Sequence, residues 1–200
     1  CFTEPIRHRG VFNGILTGQC AEVLEYTSND EISVCNLASI SLPAFIYEGN
    51  PPENIQTYTN PSLPGKWYDL DELARTAGMV IRNLNRVIDV NNYPLEKTKT
   101  SNLKHRPVAV GLQGTADMFI EFRLPYDSQE ARVLNKLVSE AIQFGALRAS
   151  MELAKKEGPY SSFEGSPASE GVLQHDMWDL PEESLGGPFR AGSHESGLFD

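Results

Sequence analysis

Two stretches of the chain repeat apolar residues at helical spacing. Leu70, Leu73, Ala77, Val80, Ile81, Leu84, Val87 and Ile88 fall three or four positions apart, which predicts one buried helix face beginning near Asp69. That helix should fray before Asn91-Asn92-Tyr93-Pro94. The longer stretch is 128–157, where Ala131, Leu134, Val138, Ala141, Ile142, Gly145, Ala149 and Leu153 draw a continuous stripe. Ser128 suits its N-cap and Gly158-Pro159 its stop. The opposite face, with Glu130, Arg132, Lys136, Glu140 and Arg148, reads as solvated.

The strand signals are shorter. Ile32 to Leu42 is rich in β-branched and apolar residues, with Ile32, Val34, Ile40 and Leu42 on one alternating face and Pro43 as terminator. Arg106 to Gly111 reads as a buried strand, turned by Gly111-Leu112-Gln113-Gly114 into a helix over Thr115 to Phe122. Residues 1–19 read as a loop that could be partly extended, Tyr47 to Gly65 as a long proline-rich surface loop, and 179–200 as a tail with little regular structure. Strand and helix alternate across 31–157 without an internal repeat, so the fold class is α/β with some parallel pairing.

Charge narrows the partners. The 200 residues hold 17 Lys+Arg against 27 Asp+Glu, a formal net charge of −10, which argues against a nucleic-acid clamp. No apolar run is long enough to span a membrane, and no charged head precedes an apolar core at the N-terminus. Three cysteines at 1, 20 and 35 make neither a disulfide framework nor a zinc ribbon, and they suit a reducing cytosol. With Cys1 first and no methionine before Met79, the chain reads as an excerpt of a longer protein that does not act alone.

Cysteine is the scarcest reactive side chain here. Cys20 precedes Glu22 by two positions, and a neighbouring carboxylate raises a thiol pKa, so Cys20 is poorly suited to be a thiolate nucleophile. The pair makes more sense with sulfur as a neutral thiol or radical and the carboxylate as a proton carrier. The competing reading makes both cysteines small buried hydrophobes and Glu22 a surface acid. The Gly111–Gly114 turn could place a phosphate at a helix N-terminus, but it lacks a third glycine and a lysine, which favours a packing turn. His8, His105, His175 and His194 show no ligand-like spacing, so no metal is assigned.

Taken in order from Cys20 to Trp178, several segments together resemble the large catalytic subunit of ribonucleotide reductase, in its eukaryotic and viral diiron-dependent type. They are Cys20-Ala21-Glu22-Val23-Leu24-Glu25-Tyr26-Thr27-Ser28, Asp30-Glu31-Ile32-Ser33-Val34-Cys35-Asn36-Leu37-Ala38-Ser39-Ile40, Arg86-Val87-Ile88-Asp89 and Asn92-Tyr93-Pro94. The run from His105 to Asp117, Gly158-Pro159-Tyr160, Glu164-Gly165-Ser166-Pro167 and Leu173 to Trp178 complete the set.

The resemblance implies a segment of a ten-stranded α/β barrel over 1–178, with its finger loop near 10–30 and an irregular tail over 179–200 unlike the family. Cys20 matches the cysteine that becomes a thiyl radical, and Glu22 the carboxylate that accepts the proton of the 3′ hydroxyl. Cys35 matches one of two cysteines that reduce the substrate radical and end as a disulfide; its partner is absent from this chain. Gly18 stands where the family usually carries a ribose-binding Asn. The resemblance further implies a ribonucleoside diphosphate substrate, a small subunit holding a diiron-tyrosyl radical, ATP or dNTP effectors and no cofactor bound by this segment. Thioredoxin or glutaredoxin as reductant, a homodimer and a cytoplasmic location go with them. A catalytically silent paralogue and an adenosylcobalamin-dependent reductase are the alternatives.

Overall fold

The computed structural model describes residues 9–12, 15–18 and 25–177, the first two stretches by their backbone alone. In chain order the elements are β1 (Arg9–Phe12), β2 (Ile15–Gly18), β3 (Asn36–Ser41), β4 (Ile46–Glu48), β5 (Thr57–Thr59) and β6 (Lys66–Asp69). They continue with α1 (Leu70–Val90), α2 (Glu96–His105), β7 (Val108–Gln113), α3 (Thr115–Glu121) and α4 (Gln129–Glu157). Single 3-10 turns follow β3 at Leu42–Phe45 and α4 at Pro167–Glu170 and Gln174–Met177.

The long helices form as the apolar spacing requires. Asp69 caps α1 by accepting from the Glu72 amide at 2.7 Å, and Asp71 and Glu72 add negative charge to its first turn. Ser128 caps α4 by accepting from the Ala131 amide at 3.1 Å, and Gly158, at φ 86°, ends it. Most of the predicted stripes are buried, with Leu73, Ala77, Leu84 and Ile88 on α1 and Leu134, Val138, Ala141 and Ala149 on α4, whereas Val87, expected on the buried face of α1, is exposed. Each fully buried Leu or Ile contributes roughly 1.5–3 kcal/mol relative to exposure.

The pairing of α1 with α4 carries topological information. Gly78 lies against Gly145 and Ala149, Arg82 pairs with Glu152, and Asn85 reaches Glu157. These contacts advance along both helices together, so α1 and α4 run in the same direction. The strands agree. β3 and β7 pair in parallel, from Asn36 opposite Val108 to Ser41 opposite Gln113. Parallel strands with co-directional helices are a repeated strand–helix unit. α1 packs against both strands and so covers one face of this small sheet. The described residues make no closed barrel, and their strands fall into separate sheets.

Several sequence expectations are corrected. β3 is shorter than Ile32–Leu42, because the segment before Asn36 is held by other means and Pro43 starts a 3-10 turn at Leu42. Residues 47–65 are not simply a loop: β4 and β5 flank β6 in a three-stranded antiparallel sheet, order β4-β6-β5. Prolines 51, 52, 61 and 64 sit between the strands, outside the ladders, and Tyr47 stacks on Trp67 at 4.9 Å between ring centroids. Residues 9–12 and 15–18 form the antiparallel pair β1–β2, in keeping with a stretch that is partly extended. The buried strand expected over 106–111 occupies 108–113 and is half-buried to exposed; it is displaced because Arg106, at φ 47°, ends α2 in the left-handed region. Gly114, at φ 76°, makes the turn from β7 into α3, where an added Cβ would meet Pro43 Cδ at 2.7 Å. The tail over 179–200 lies outside the described residues.

Candidate functional site

Cys35 is the predicted site residue whose surroundings can be described. It immediately precedes β3, and burial alternates along that strand: Asn36 and Ile40 are buried, while Leu37, Ser39 and Ser41 are exposed. Cys35 is exposed and continues the second series. It thus belongs to the sheet face opposite the one covered by α1. Gly18 is the last residue of β2, in register with Arg9. Cys20 and Glu22 lie outside the described residues.

Helix α2 holds the segment that leads into Cys35. The Ile32 amide donates to Lys97 O at 3.2 Å, and Lys97 Nζ donates to Asn29 O. Glu31, only 6% exposed, receives Lys104 Nζ at 3.1 Å on one oxygen and His105 Nε2 at 2.9 Å on the other. The hydrogen bond from Lys104, with that from His105 behind it, keeps the Glu31 carboxyl below the ordinary carboxylate range against the opposing effect of burial. His105 Nδ1 lies 2.8 Å from Ser162 Oγ, so the same cluster ties in the turn after α4.

A second cluster sits one step along the chain. Asn36 Nδ2 donates to Asn102 Oδ1 and to Pro107 O, both at 2.8 Å. Asn102 Nδ2 donates to Tyr93 Oη and, at 3.4 Å, to Asn36 Oδ1. Tyr93 Oη donates to Ile88 O at 2.6 Å. Both asparagines are buried and every side-chain N–H and O–H in the group is used, as a buried polar network requires.

On the outer side, Arg106 donates to both carboxylate oxygens of Asp89, at 2.8 and 3.0 Å, and to Asn85 Oδ1 and Asn85 O. The guanidinium hydrogen bonds hold the Asp89 carboxyl below its usual range. Asn85, Asp89, Arg106, Glu157 and Tyr160 help line a cleft of about 360 Å³ between α1 and the end of α4. Among the described residues, no group of three or more His, Cys, Asp or Glu is placed to hold a metal ion. Among them too, no helix is long and apolar enough to cross a membrane.

Glu31, Asn36, Tyr93, His105 and Arg106 lie within the family-like segments with no role legible in the sequence, and no local pattern marks Asn102. α2 itself went unpredicted. Its buried residues are Thr98, Ser101 and Asn102, so no apolar stripe announces it.

A parallel strand pair, with a helix after each strand and the two helices running in the same direction, is an α/β arrangement, and Cys35 precedes its first strand. The chain belongs to the ribonucleotide reductase barrel domain family, whose model matches residues 15–196. It is 47% identical over 165 residues to the ribonucleoside-diphosphate reductase large chain of Cryptosporidium parvum, covering 82% of this chain and 19% of that protein. It is 49% identical over 164 residues to the large subunit of Arabidopsis thaliana, covering 80% of this chain and 20% of that one. The large subunit of Trypanosoma brucei brucei is 48% identical over 181 residues, 90% of this chain and 20% of that protein. The chain thus spans about a fifth of the length of the relatives it matches.

Proposed function

We propose that this chain is part of the catalytic barrel of a ribonucleoside-diphosphate reductase large subunit, and that the whole protein reduces ribonucleoside diphosphates to deoxyribonucleoside diphosphates by thiyl-radical chemistry. The carrying observation is the family match over residues 15–196, at close to half identity with eukaryotic large subunits. The placement of Cys35 supports it, because a reducing thiol needs access to substrate, and Cys35 is exposed on the sheet face opposite α1.

In this reading the finger loop lies near 10–30, and Cys20 as a thiyl radical abstracts the 3′ hydrogen of the ribose. Glu22 takes the proton of the 3′ hydroxyl while the 2′ hydroxyl leaves as water. Cys35 and a second thiol of the whole protein each give up a hydrogen, supplying two electrons and two protons and ending as a disulfide. Cys20 then returns its hydrogen to C3′ and recovers the radical. A small subunit with a diiron-tyrosyl centre starts the radical, thioredoxin or glutaredoxin reduces the disulfide, and ATP or dNTP effectors act elsewhere on a cytoplasmic homodimer.

The test is turnover by the full-length subunit with its radical-generating partner. Cys20→Ser abolishes product, and Glu22→Gln lowers the rate by about 10²–10⁴, the usual worth of a general base. Full activity of Cys20→Ser overturns the assignment. Gly18 favours a second reading, a silent paralogue that binds or regulates, because glycine offers no amide to a substrate hydroxyl. An inactive wild type that recovers activity with Gly18→Asn supports it.

A further inference from the structure

The buried asparagine–tyrosine cluster next to Cys35 has a fixed direction, and that direction constrains the cysteine. Pro107 O and Ile88 O lie at its two ends, and a carbonyl can only accept. Pro107 O therefore turns the Asn36 amide so that Nδ2 faces it, which leaves Asn36 Oδ1 as an acceptor. Ile88 O takes the Tyr93 hydrogen, so Tyr93 Oη must accept from Asn102 Nδ2. Asn102 is left one arrangement, with Oδ1 toward Asn36 Nδ2 at 2.8 Å and Nδ2 toward Tyr93. Each group is set by its neighbour, and the set reaches from α1 through α2 to β3.

Cys35 stands where the parallel ladder gives out. Asn36 is the first residue of β3 in register, opposite Val108, and Val108 follows Pro107, which has no N–H for a backbone ladder. The Asn36 side chain donates instead to the Pro107 carbonyl, which proline keeps, and so ties the start of β3 to the residue before β7. Upstream, Glu31 and Ile32 are fastened to the same helix through Lys104, His105 and Lys97 O. The segment carrying Cys35 is thus held by α2 on both sides.

We propose that Asn102 and Tyr93 are positioning residues for Cys35: through Asn36 they fix the start of β3 so that the Cys35 thiol keeps one orientation toward the substrate side of the sheet. The inference rests on the redox reading of Cys35 given above. Neither residue touches substrate. Their work is to set the place of a sulfur that must meet a short-lived substrate radical, where a misplacement of about 1 Å can cost about 10²-fold in rate.

The experiment uses the full-length subunit with its radical-generating partner and compares Asn102→Asp, Tyr93→Phe and the control Thr100→Ala. Asn102→Asp keeps the shape and the acceptor for Asn36 but sets a second oxygen against Tyr93 and Asn36 Oδ1. Tyr93→Phe removes one hydroxyl and is the milder change, should the aspartate variant fail to fold. Thr100 bonds only its own helix, at Glu96 O, on the exposed side. Two readouts are taken: kcat and KM for the diphosphate substrate, and the rate of Cys35 alkylation by iodoacetamide, resolved by peptide mass spectrometry.

The proposal expects kcat to fall about ten- to hundredfold in the two cluster variants with KM nearly unchanged. It expects Cys35 alkylation to change by about fivefold or more, the factor by which one net hydrogen bond shifts a local opening equilibrium. Thr100→Ala leaves both as in wild type. Unchanged alkylation and kcat in a folded Tyr93→Phe protein overturn the proposal. Full turnover by Cys35→Ser with an external dithiol instead overturns the redox reading, and the alkylation rates still decide the positioning on their own.

Discussion

Gly145→Ala tests the close crossing of α1 and α4, on which the parallel arrangement of the helices rests. Two effects oppose each other. Alanine in a helix interior is better than glycine by about 1 kcal/mol, through backbone entropy and shielding. Against this, a Cβ built on Gly145 would lie 1.9 Å from Ala74 O, 2.7 Å from Ala74 C and 3.0 Å from Ala74 Cα. All three atoms are backbone, so no rotamer change relieves the overlap and the helices must separate. Overpacking of this kind typically costs about 1–3 kcal/mol, and separation also loosens the neighbouring contact of Gly78 with Ala149. Because the overlap is with rigid backbone, the cost falls toward the upper end of that range and outweighs the propensity gain, giving a net loss of up to about 2 kcal/mol. The assay is thermal unfolding of the full-length subunit together with amide exchange, and the loss of protection should centre on α1 and α4. A rise in Tm with unchanged exchange in both helices would mean that propensity won and that the crossing is wrong.

Two further outcomes follow from the capping and ionic contacts. Ser128→Ala removes the acceptor for the Ala131 amide and should destabilise the first turn of α4 by about 0.5–2 kcal/mol, seen as faster exchange confined to that turn. The Glu31 carboxyl has a lowered pKa in the folded protein, so its pairing with Lys104 and His105 stabilises above the ordinary glutamate pKa. That contribution is lost as pH falls through the lower folded value, and Glu31→Gln should flatten this part of the acid limb of the stability curve measured by denaturant midpoint. An unchanged pH dependence contradicts the pairing.

How far the sequence spoke depended on whether burial was apolar. α1 and α4 were legible to within a residue, caps included, because Leu, Ile, Val and Ala at helical spacing have one way to be buried. α2 was invisible because its buried residues, Thr98, Ser101 and Asn102, are polar and draw no apolar stripe, and Asn102 is held by a hydrogen bond to distant Asn36. Asn36 and Asn102 are 66 positions apart, and nothing local in either segment announces the pair. The sheet of β4, β5 and β6 was hidden by short strands among prolines, where turn chemistry dominates the composition. In the candidate site, Cys35 was singled out from the sequence, whereas the contacts that hold it come from α2 and could only be read in three dimensions.

The central claim is that Cys35 delivers reducing electrons in a reductase barrel. The most direct measurement is a single turnover of the full-length subunit, reduced beforehand and given its radical partner and substrate but no external dithiol. Differential alkylation and peptide mapping then follow the cysteines. The account predicts one deoxyribonucleoside diphosphate formed for each Cys35 that has passed into a disulfide, with Cys20 still a thiol. Product formed while Cys35 remains fully alkylatable would contradict it.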